Sequence, residues 1–281
     1  MELANGKTNK FFTPPGEGKN KYFSADYDAE QTKGKNNLFV FSEKIPPGST
    51  VLDIGCAQGK LGQELKKKSC TVYGIEMDET AAGYARKTGC YKDIFVMDMT
   101  REDTPEYRRF LKTVTRADAV VFSDILEHLP DPTEGLLRYA GLLGEGGMIL
   151  ISVPNLAHLD IILHLIDGEL NYTDMGILDN THLKFFTKNS FLQWIDQIDR
   201  TFESIRFDCE YLGATFYTSE YLNEVKSRHP ELYSVLEHCE NYNGLQIMFL
   251  LKRIGAGDEP EHLRKLLRAP AGGTVDLLGD S

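Results

Sequence analysis

The stretch Val51–Gly62 constrains the fold of this chain more than any other. It reads V-L-D-I-G-C-A-Q-G-K-L-G, an apolar strand followed by a glycine-rich turn and the start of a helix. An α/β protein builds a nucleotide pocket in this way, because small residues let the backbone approach a ligand and the helix N-terminus offers unpaired N–H groups. Asp53 lies inside the apolar strand, where an unpaired carboxylate would be costly. We therefore expect Asp53 either to brace the turn or to contact a ligand.

Strands and helices alternate along the chain after this turn. Four more strands are predicted at Thr71–Ile75, Tyr91–Met97, Ala117–Phe122 and Met148–Val153. Five strands that alternate with helices predict an α/β fold with a parallel, doubly wound sheet. A helix at Lys188–Arg200 and two strands, Glu203–Leu212 and Leu245–Arg253, are predicted to follow.

Composition limits the classes of function. The 31 basic and 42 acidic residues give a net charge of −11, which repels phosphate backbones, so no nucleic-acid partner is expected. No run approaches the ~20 apolar residues of a membrane helix, and the N-terminus does not resemble a signal peptide. The five cysteines form no C-x-x-C pair, which is typical of reduced thiols. We expect a cytoplasmic protein without a membrane partner.

Three acidic residues end successive predicted strands or their turns: Asp53, Glu76 and Asp98. Ligands of open parallel sheets bind at the carboxyl ends of the strands. A carboxylate at Glu76 can accept hydrogen bonds from both hydroxyls of a ribose, and one at Asp98 can accept from an adenine amino group. The combination predicts an adenosine-containing cofactor. The spacing Gly55-x-Ala57-x-Gly59 differs from the G-x-G-x-x-G of dinucleotide sites, which disfavours a nicotinamide enzyme.

Several motifs together resemble the class I S-adenosylmethionine-dependent methyltransferases. The segment 53–59, D-I-G-C-A-Q-G, resembles their D-x-G-x-G-x-G signature. The segment 123–132, S-D-I-L-E-H-L-P-D-P, resembles the fourth-strand motif of the branch that acts on small molecules. The segment 182–187, H-L-K-F-F-T, is similar to the downstream H-L-R-F-F-T box. The pattern G-I-L-D-x-x-H at 176–182 is similar to one in methyltransferases from gene clusters for sugars, polysaccharides and natural products.

The resemblance implies a Rossmann-like methyltransferase fold, a seven-stranded and mostly parallel sheet whose last strand is antiparallel. The segments outside the sheet are expected to add a helical lid insertion. Residues 1–45 would form an N-terminal flap and helix, residues 46–254 the methyltransferase domain, and residues 255–281 a C-terminal tail. Within the domain, segments 155–187 and 213–244 interrupt the alternation and would be the substrate and lid insertions.

The resemblance also implies S-adenosyl-L-methionine as the cofactor. Glu76 would hold the ribose, Asp98 the adenine, and the glycine turn and the region of Ser123 the methionine part. The residues expected to contact the cofactor are Asp53, Gly55, Cys56, Ala57, Gly59, Glu76, Met77, Asp98, Met99, Ser123 and Asp124. Ala57 replaces the middle glycine of the signature, which is tolerable if φ at this residue stays negative.

Two histidines are candidate general bases, because a hydroxyl acceptor must lose a proton on methylation. His128 follows the fourth strand at the expected mouth of the pocket, and His182 is the second candidate. Asp124-x-x-Glu127-His128 also loosely resembles the E-x-x-E-H group that binds a divalent ion in some quinone-biosynthesis methyltransferases. Since Asp replaces the first Glu, we predict no metal.

The predicted function is methyl transfer to an O or N atom of a small molecule, a sugar or specialised metabolite. The N/D-P-P-Y/F motif of nucleic-acid amino-methyltransferases is absent after the fourth strand, where the chain reads S-D-I-L. A peptide or protein substrate is an alternative, because segment 214–244 and the N-terminal aromatic residues could form a groove. A binding protein that has lost catalysis is another, and a homodimer is possible.

Overall fold

The computed structural model describes residues 36–202, 205–236, 238 and 243–255. The predicted flap at residues 1–30 lies outside the described residues, as does nearly all of the predicted tail.

A sheet with strand order β3-β2-β1-β4-β5-β7-β6 forms the centre of the described fold. Its strands are β1 Thr50–Ile54, β2 Thr71–Glu76, β3 Asp93–Val96, β4 Ala117–Ser123, β5 Leu143–Pro154, β6 Arg206–Phe216 and β7 Gly244–Ile254. Neighbouring strands run parallel except β7, which is antiparallel to both β5 and β6. The predicted seven-stranded, mostly parallel, doubly wound sheet is confirmed.

Helices connect the strands and cover the sheet. They are α1 Asn37–Lys44, α2 Lys60–Lys67, α3 Glu79–Lys87, α4 Pro105–Thr113, α5 Pro132–Ala140, α6 Leu159–Ile166, α7 Lys188–Thr201, α8 Glu220–Arg228 and α9 Pro230–Leu236. Side-chain caps fix where two of them begin: Asp78 accepts from the backbone N–H of Ala81 at the start of α3, and Asp131 caps α5. In the sequence, Asp78 and Asp131 each stand directly before a helical stretch, which predicts both caps, and the structure confirms them.

The two faces of the sheet have separate cores. On one face, Leu52, Phe122 and Ile149 are fully buried in the larger cluster, which includes residues of α4, α5 and α7. On the other face, Val51 and Val121 pack with residues of α1 and α2. Successive residues of a strand point to opposite faces, so β1 and β4 are buried on both sides. The carboxyl ends of these two central strands are thereby held rigidly, at the point where the strand order reverses.

Two boundaries differ from the predictions. The sequence G-E-G-G at 144–147 predicts the end of the helix before the fifth strand. In the structure, α5 ends earlier, at Ala140, and β5 begins at Leu143, which pairs with Ala117. β6 extends to Phe216 because its ladder with β7 continues past a glycine-containing irregularity at Gly213. The second predicted insertion therefore begins after residue 216.

The two insertions contact each other. Ser219 Oγ donates to Asp160 Oδ1 at 2.6 Å, and Nε2 of His158 lies 3.0 Å from the carbonyl oxygen of Tyr217. α6 belongs to the first insertion, and α8 and α9 belong to the second. Among the described helices, none combines the length and the apolar character needed to cross a bilayer.

Candidate functional site

The glycine turn between β1 and α2 has three residues in the left-handed region. Gly55, Ala57 and Gly59 have φ values of +68°, +45° and +82°. The condition under which an alanine is easily tolerated at position 57, a negative φ, is therefore not met. The turn bends so tightly that the N–H groups of Gly55 and Cys56 both donate to the carbonyl oxygen of Ile75. An alanine in this conformation carries strain of about 1–2 kcal/mol, which the surrounding hydrogen bonds offset.

Position 55 also leaves little room for a side chain. A Cβ atom there would overlap the side chain of Ile125, which follows β4. The glycine turn thus lies directly against the segment that carries the candidate catalytic residues. This close approach brings the two halves of the predicted site together.

Glu76 braces the glycine turn. Its Oε2 accepts from the N–H of Ala57 at 2.9 Å, and its Oε1 accepts from the N–H of Asp78 at 2.9 Å. Burial raises the pKa of the Glu76 carboxyl, and these backbone hydrogen bonds act in the opposite direction. Each carboxylate oxygen has two lone pairs, so each can accept one more hydrogen bond from a ligand.

Asp53 is buried and hydrogen-bonded to a residue that the sequence reasoning missed. Its Oδ2 accepts from the hydroxyl of Tyr91 at 2.6 Å, and that hydroxyl accepts from the N–H of Gly62 in α2. Burial raises the pKa of Asp53 to about 7, against the lowering effect of the Tyr91 hydrogen bond. Of the two expected roles of Asp53, the structure places it as a brace of the helix start. The signal for Tyr91 was the buried acid itself, which needed a donor.

The remaining residues predicted to contact adenosine differ in environment. Asp98 Oδ1 accepts from both the N–H and the hydroxyl of Thr100, so this carboxylate stabilises its own turn. Met77 is 74% exposed, whereas Met99 is 8% exposed and belongs to the larger core cluster. Of these two methionines, Met77 is the one whose side chain is accessible from solvent.

Asp124 is the centre of a polar network at the end of β4. It has a positive φ of +55°, which is uncommon outside glycine and is often found at functional sites. Its Oδ2 accepts from Nδ2 of Asn37 at 3.0 Å and from Nε2 of Gln246 at 2.7 Å. The other oxygen, Oδ1, is buried and accepts no hydrogen bond from any residue that the structure describes. Burial raises the pKa of Asp124 to about 6, against the effect of its side-chain hydrogen bonds.

Sequence reasoning missed Asn37 and Gln246. Nδ2 of Asn37 also lies 2.9 Å from the hydroxyl oxygens of Ser123 and Ser152, so helix α1 is tied to the ends of β4 and β5. Asn37 is the first residue of a short helix, and Gln246 lies in the last strand. Neither carries a motif, and only the sheet topology brings them to Asp124.

Glu127, His128 and His182 form a compact cluster beside this network. One ligand atom of each, a carboxyl oxygen or a ring nitrogen, lies within 4.8 Å of the other two. The two imidazole rings meet edge to face with their centroids 4.8 Å apart. The structure thus brings both predicted bases together. Such a set could hold a cation, but it differs from the Asp124-x-x-Glu127-His128 group in the motif, because Asp124 is not among the three. That no metal binds here stays a prediction.

Hydrogen bonds define which nitrogen of each histidine is basic. Nδ1 of His128 lies 3.3 Å from the carbonyl oxygen of Thr181, and Nδ1 of His182 lies 2.9 Å from that of Ile177. A carbonyl oxygen can only accept, so both Nδ1 atoms carry the proton, and Nε2 is the basic atom in the neutral rings. Thr181 is itself held, because its hydroxyl donates to Asp179 Oδ1 at 2.7 Å.

The comparisons with known proteins agree with this architecture. A family model described as a methyltransferase domain matches residues 28–204. The chain is 29% identical over 163 residues to the ubiquinone biosynthesis O-methyltransferase of Vibrio parahaemolyticus, covering 55% of this chain and 64% of that protein. It is 29% identical over 142 residues to the same-named enzyme of Aeromonas salmonicida, covering 50% and 58%. The match thus spans about three fifths of the length of these relatives.

A solved structure supports the fold. The structure of a SAM-dependent methyltransferase from Archaeoglobus fulgidus superposes with a TM-score of 0.52 and 18% sequence identity, covering 80% of this chain and 97% of that one. The family model covers more than half of the chain. The chain therefore belongs to the methyltransferase-domain family.

Proposed function

We propose that this protein transfers a methyl group from S-adenosyl-L-methionine to an oxygen atom of a small molecule. The observation that carries the proposal is the pair of carboxylates, Glu76 and Asp124, on either side of the strained glycine turn at the carboxyl edge of the sheet. The family match and the names of the relatives support it.

The residues present fit this cofactor. The buried, unpartnered Oδ1 of Asp124 suits the positively charged amino group of a methionine. Glu76, which holds the turn, has lone pairs left for ribose hydroxyls. The left-handed backbone at Gly55 and Gly59 keeps the turn free of bulky side chains. Donors and acceptors on this edge therefore match both ends of the cofactor.

When bound, the cofactor supplies a methyl group that is already activated on a sulfonium. The protein then has to align the acceptor, exclude water and take up a proton. His128 Nε2 is the atom proposed to accept the hydroxyl proton, since Nδ1 is engaged with Thr181. Contacts between the two insertions could close the site. His182 lies close enough to share the role of base.

Oxygen is the proposed acceptor atom because a hydroxyl needs a base, and the histidine cluster provides one. The relatives' names also state O-methylation. We further propose that the acceptor is a sugar, a phenol or another small metabolite, and that the protein is cytoplasmic. We propose no nucleic-acid or membrane partner. A peptide acceptor and a non-catalytic cofactor-binding protein are outcomes that the experiments below distinguish. A homodimer stays a prediction.

Calorimetry with S-adenosylmethionine tests the cofactor. We expect binding to the wild-type protein and at least tenfold weaker binding to Glu76→Ala, because hydrogen bonds to a charged group contribute about 1.5–3 kcal/mol each. Glu79→Ala is the matched control, since its side chain is exposed on the following helix. Absence of wild-type binding, or equal affinity in the two variants, contradicts the proposal.

Replacement of the base tests the chemistry. A methyl-transfer screen against phenols, sugars, carboxylic acids and peptides should first identify an acceptor. With that acceptor, His128→Ala should lower turnover by about 10²–10⁴-fold while cofactor affinity changes less than twofold. The control is His229→Ala, at an exposed histidine between α8 and α9. Unchanged turnover in His128→Ala removes this residue from the mechanism.

A further inference from the structure

Glu127 is a buried acid that the proposed mechanism does not yet use. Glu127 is 1% exposed. It lies on a single 3-10 turn, Leu126–His128, which follows β4. Both carboxyl oxygens are buried and accept no hydrogen bond from any residue in the described part of the chain. A carboxylate in such a place is costly unless a positive charge or a proton balances it. The surroundings of Glu127 must therefore supply one or the other.

The basic nitrogen of His182 faces this carboxyl. Nε2 of His182 lies 4.0 Å from Oε1 of Glu127. Because Nδ1 of His182 donates to a carbonyl oxygen, Nε2 is the atom that gains a proton when the ring becomes charged. The charge of an imidazolium and that of the carboxylate would then be adjacent in a buried site, where their attraction is strong.

Backbone hydrogen bonds hold the two groups at this distance. The carbonyl oxygen of Glu127 accepts from the N–H groups of Leu183 and Lys184 at 2.7 and 3.0 Å. The turn after β4 and the loop that carries His182 are thereby joined without help from either side chain. The backbone therefore places the Glu127 carboxyl next to the His182 imidazole, and the fold does not depend on an interaction between these two side chains.

The other charged groups around Glu127 determine how readily its carboxyl ionises. Asp124 and Asp179 lie close enough to make ionisation of Glu127 less favourable, and burial raises the pKa of Glu127 well above its usual range. His128 and His182 are the nearby groups that can carry positive charge. A proton that enters this cluster is consequently shared between the imidazoles and the carboxyl.

We propose that Glu127 is a positioning residue for methyl transfer, whose carboxylate pairs with His182 and balances the positive charge that the histidine cluster gains when it takes a proton from the acceptor. This inference rests on the proposed function. In the step, the O–H bond of the acceptor breaks and an N–H bond forms on His128, while the methyl carbon exchanges its bond to sulfur for a bond to oxygen. The positive charge passes from the sulfonium to the cluster, where Glu127 balances it.

Histidine NMR on the full chain tests the pair without an acceptor. Protein labelled with ¹⁵N-histidine is titrated as wild type, as Glu127→Gln and as the control Glu79→Gln. We expect the titration of His182 to move to lower pH by about one unit or more in Glu127→Gln only, because the imidazolium loses its carboxylate partner. An unchanged His182 titration in a folded Glu127→Gln protein overturns the proposal.

Kinetics supply the second measurement. Turnover of Glu127→Gln should fall at least tenfold, while cofactor affinity stays unchanged. The acidic limb of its pH–turnover profile should move to lower pH. With an acceptor that is already ionised, the turnover of Glu127→Gln should fall less than threefold, because such an acceptor needs no base. An equal loss for ionised and neutral acceptors at every pH indicates a merely structural role and overturns the proposal. Loss of wild-type activity on chelation, restored by Mg²⁺ or Zn²⁺, also overturns it, because the cluster would then be a ligand set.

His182→Gln keeps the proposal testable if Glu127→Gln does not fold. This variant removes the imidazole that Glu127 pairs with, so the carboxylate faces His128 alone and the acidic limb of the pH–turnover profile should move to higher pH. An unshifted limb contradicts the pairing. If the wild-type protein neither binds S-adenosylmethionine nor transfers a methyl group, the proposed function itself fails. If wild-type activity is present but insensitive to these substitutions, only the inference about Glu127 fails.

Discussion

At the scale of single residues, Ala57 shows how the site stores strain. Its φ of +45° is a conformation that glycine adopts at little cost and alanine does not. The N–H of Ala57 is held in place by Glu76, the residue proposed to contact the ribose. A strained backbone that is held by a carboxylate proposed to contact the ligand is typical of functional sites.

Replacement of Ala57 by glycine should make the protein more stable. Relief of about 1–2 kcal/mol of strain exceeds the extra chain entropy of glycine, so we expect a gain of up to about 1 kcal/mol in the free energy of unfolding. The same change in a helix, Ala81→Gly in α3, should instead cost about 1 kcal/mol or more. Urea unfolding of the two variants measures both values, and a loss in Ala57→Gly similar to that in Ala81→Gly contradicts the strain.

At the scale of elements, the sequence predicted those parts of the fold that local chemistry determines. The helix start at Asp78 follows from a side chain that caps within three residues, and the alternating strands follow from their apolar runs. The predicted end of α5 was wrong, because the pairing of Leu143 with Ala117 on β4 places residues 144–147 in β5. That pairing joins segments far apart in the chain, so no local pattern could indicate it.

The same distinction applies to the site. Glu76, His128 and His182 belong to motifs and could be named from the sequence. Asn37 and Gln246 reach Asp124 only because α1 and β7 lie next to the ends of β4 and β5. Their contacts span 87 and 122 residues of chain. Polar residues without a motif can therefore be recognised as site residues only when the topology is known.

At the scale of the whole molecule, the site concentrates buried acids at one edge of the sheet. Burial raises the pKa of Asp53 to about 7 and that of Asp124 to about 6, and also raises the pKa values of Glu76 and Glu127. In the unfolded chain such groups ionise near pH 4. The folded protein thus binds more protons than the unfolded chain between about pH 4 and 7, and this edge destabilises the fold as the pH rises.

Asp53 offers the clearest test of this linkage. The pKa of Asp53 is raised in the folded state, so the carboxyl stays protonated there to a higher pH than in the unfolded chain. Its contribution to the stability of the fold is therefore present at low pH and is lost between about pH 4 and 7. Asp53→Asn keeps an acceptor for Tyr91 but cannot ionise. The difference in unfolding free energy between this variant and wild type should therefore shift in favour of the variant by about 2–4 kcal/mol from pH 4 to 8. Urea unfolding across this range measures the shift, with the exposed Asp103→Asn as control. A constant difference between wild type and Asp53→Asn across this range would show that the Asp53 carboxyl titrates alike in the folded and unfolded states, so that this part of the edge does not destabilise the fold.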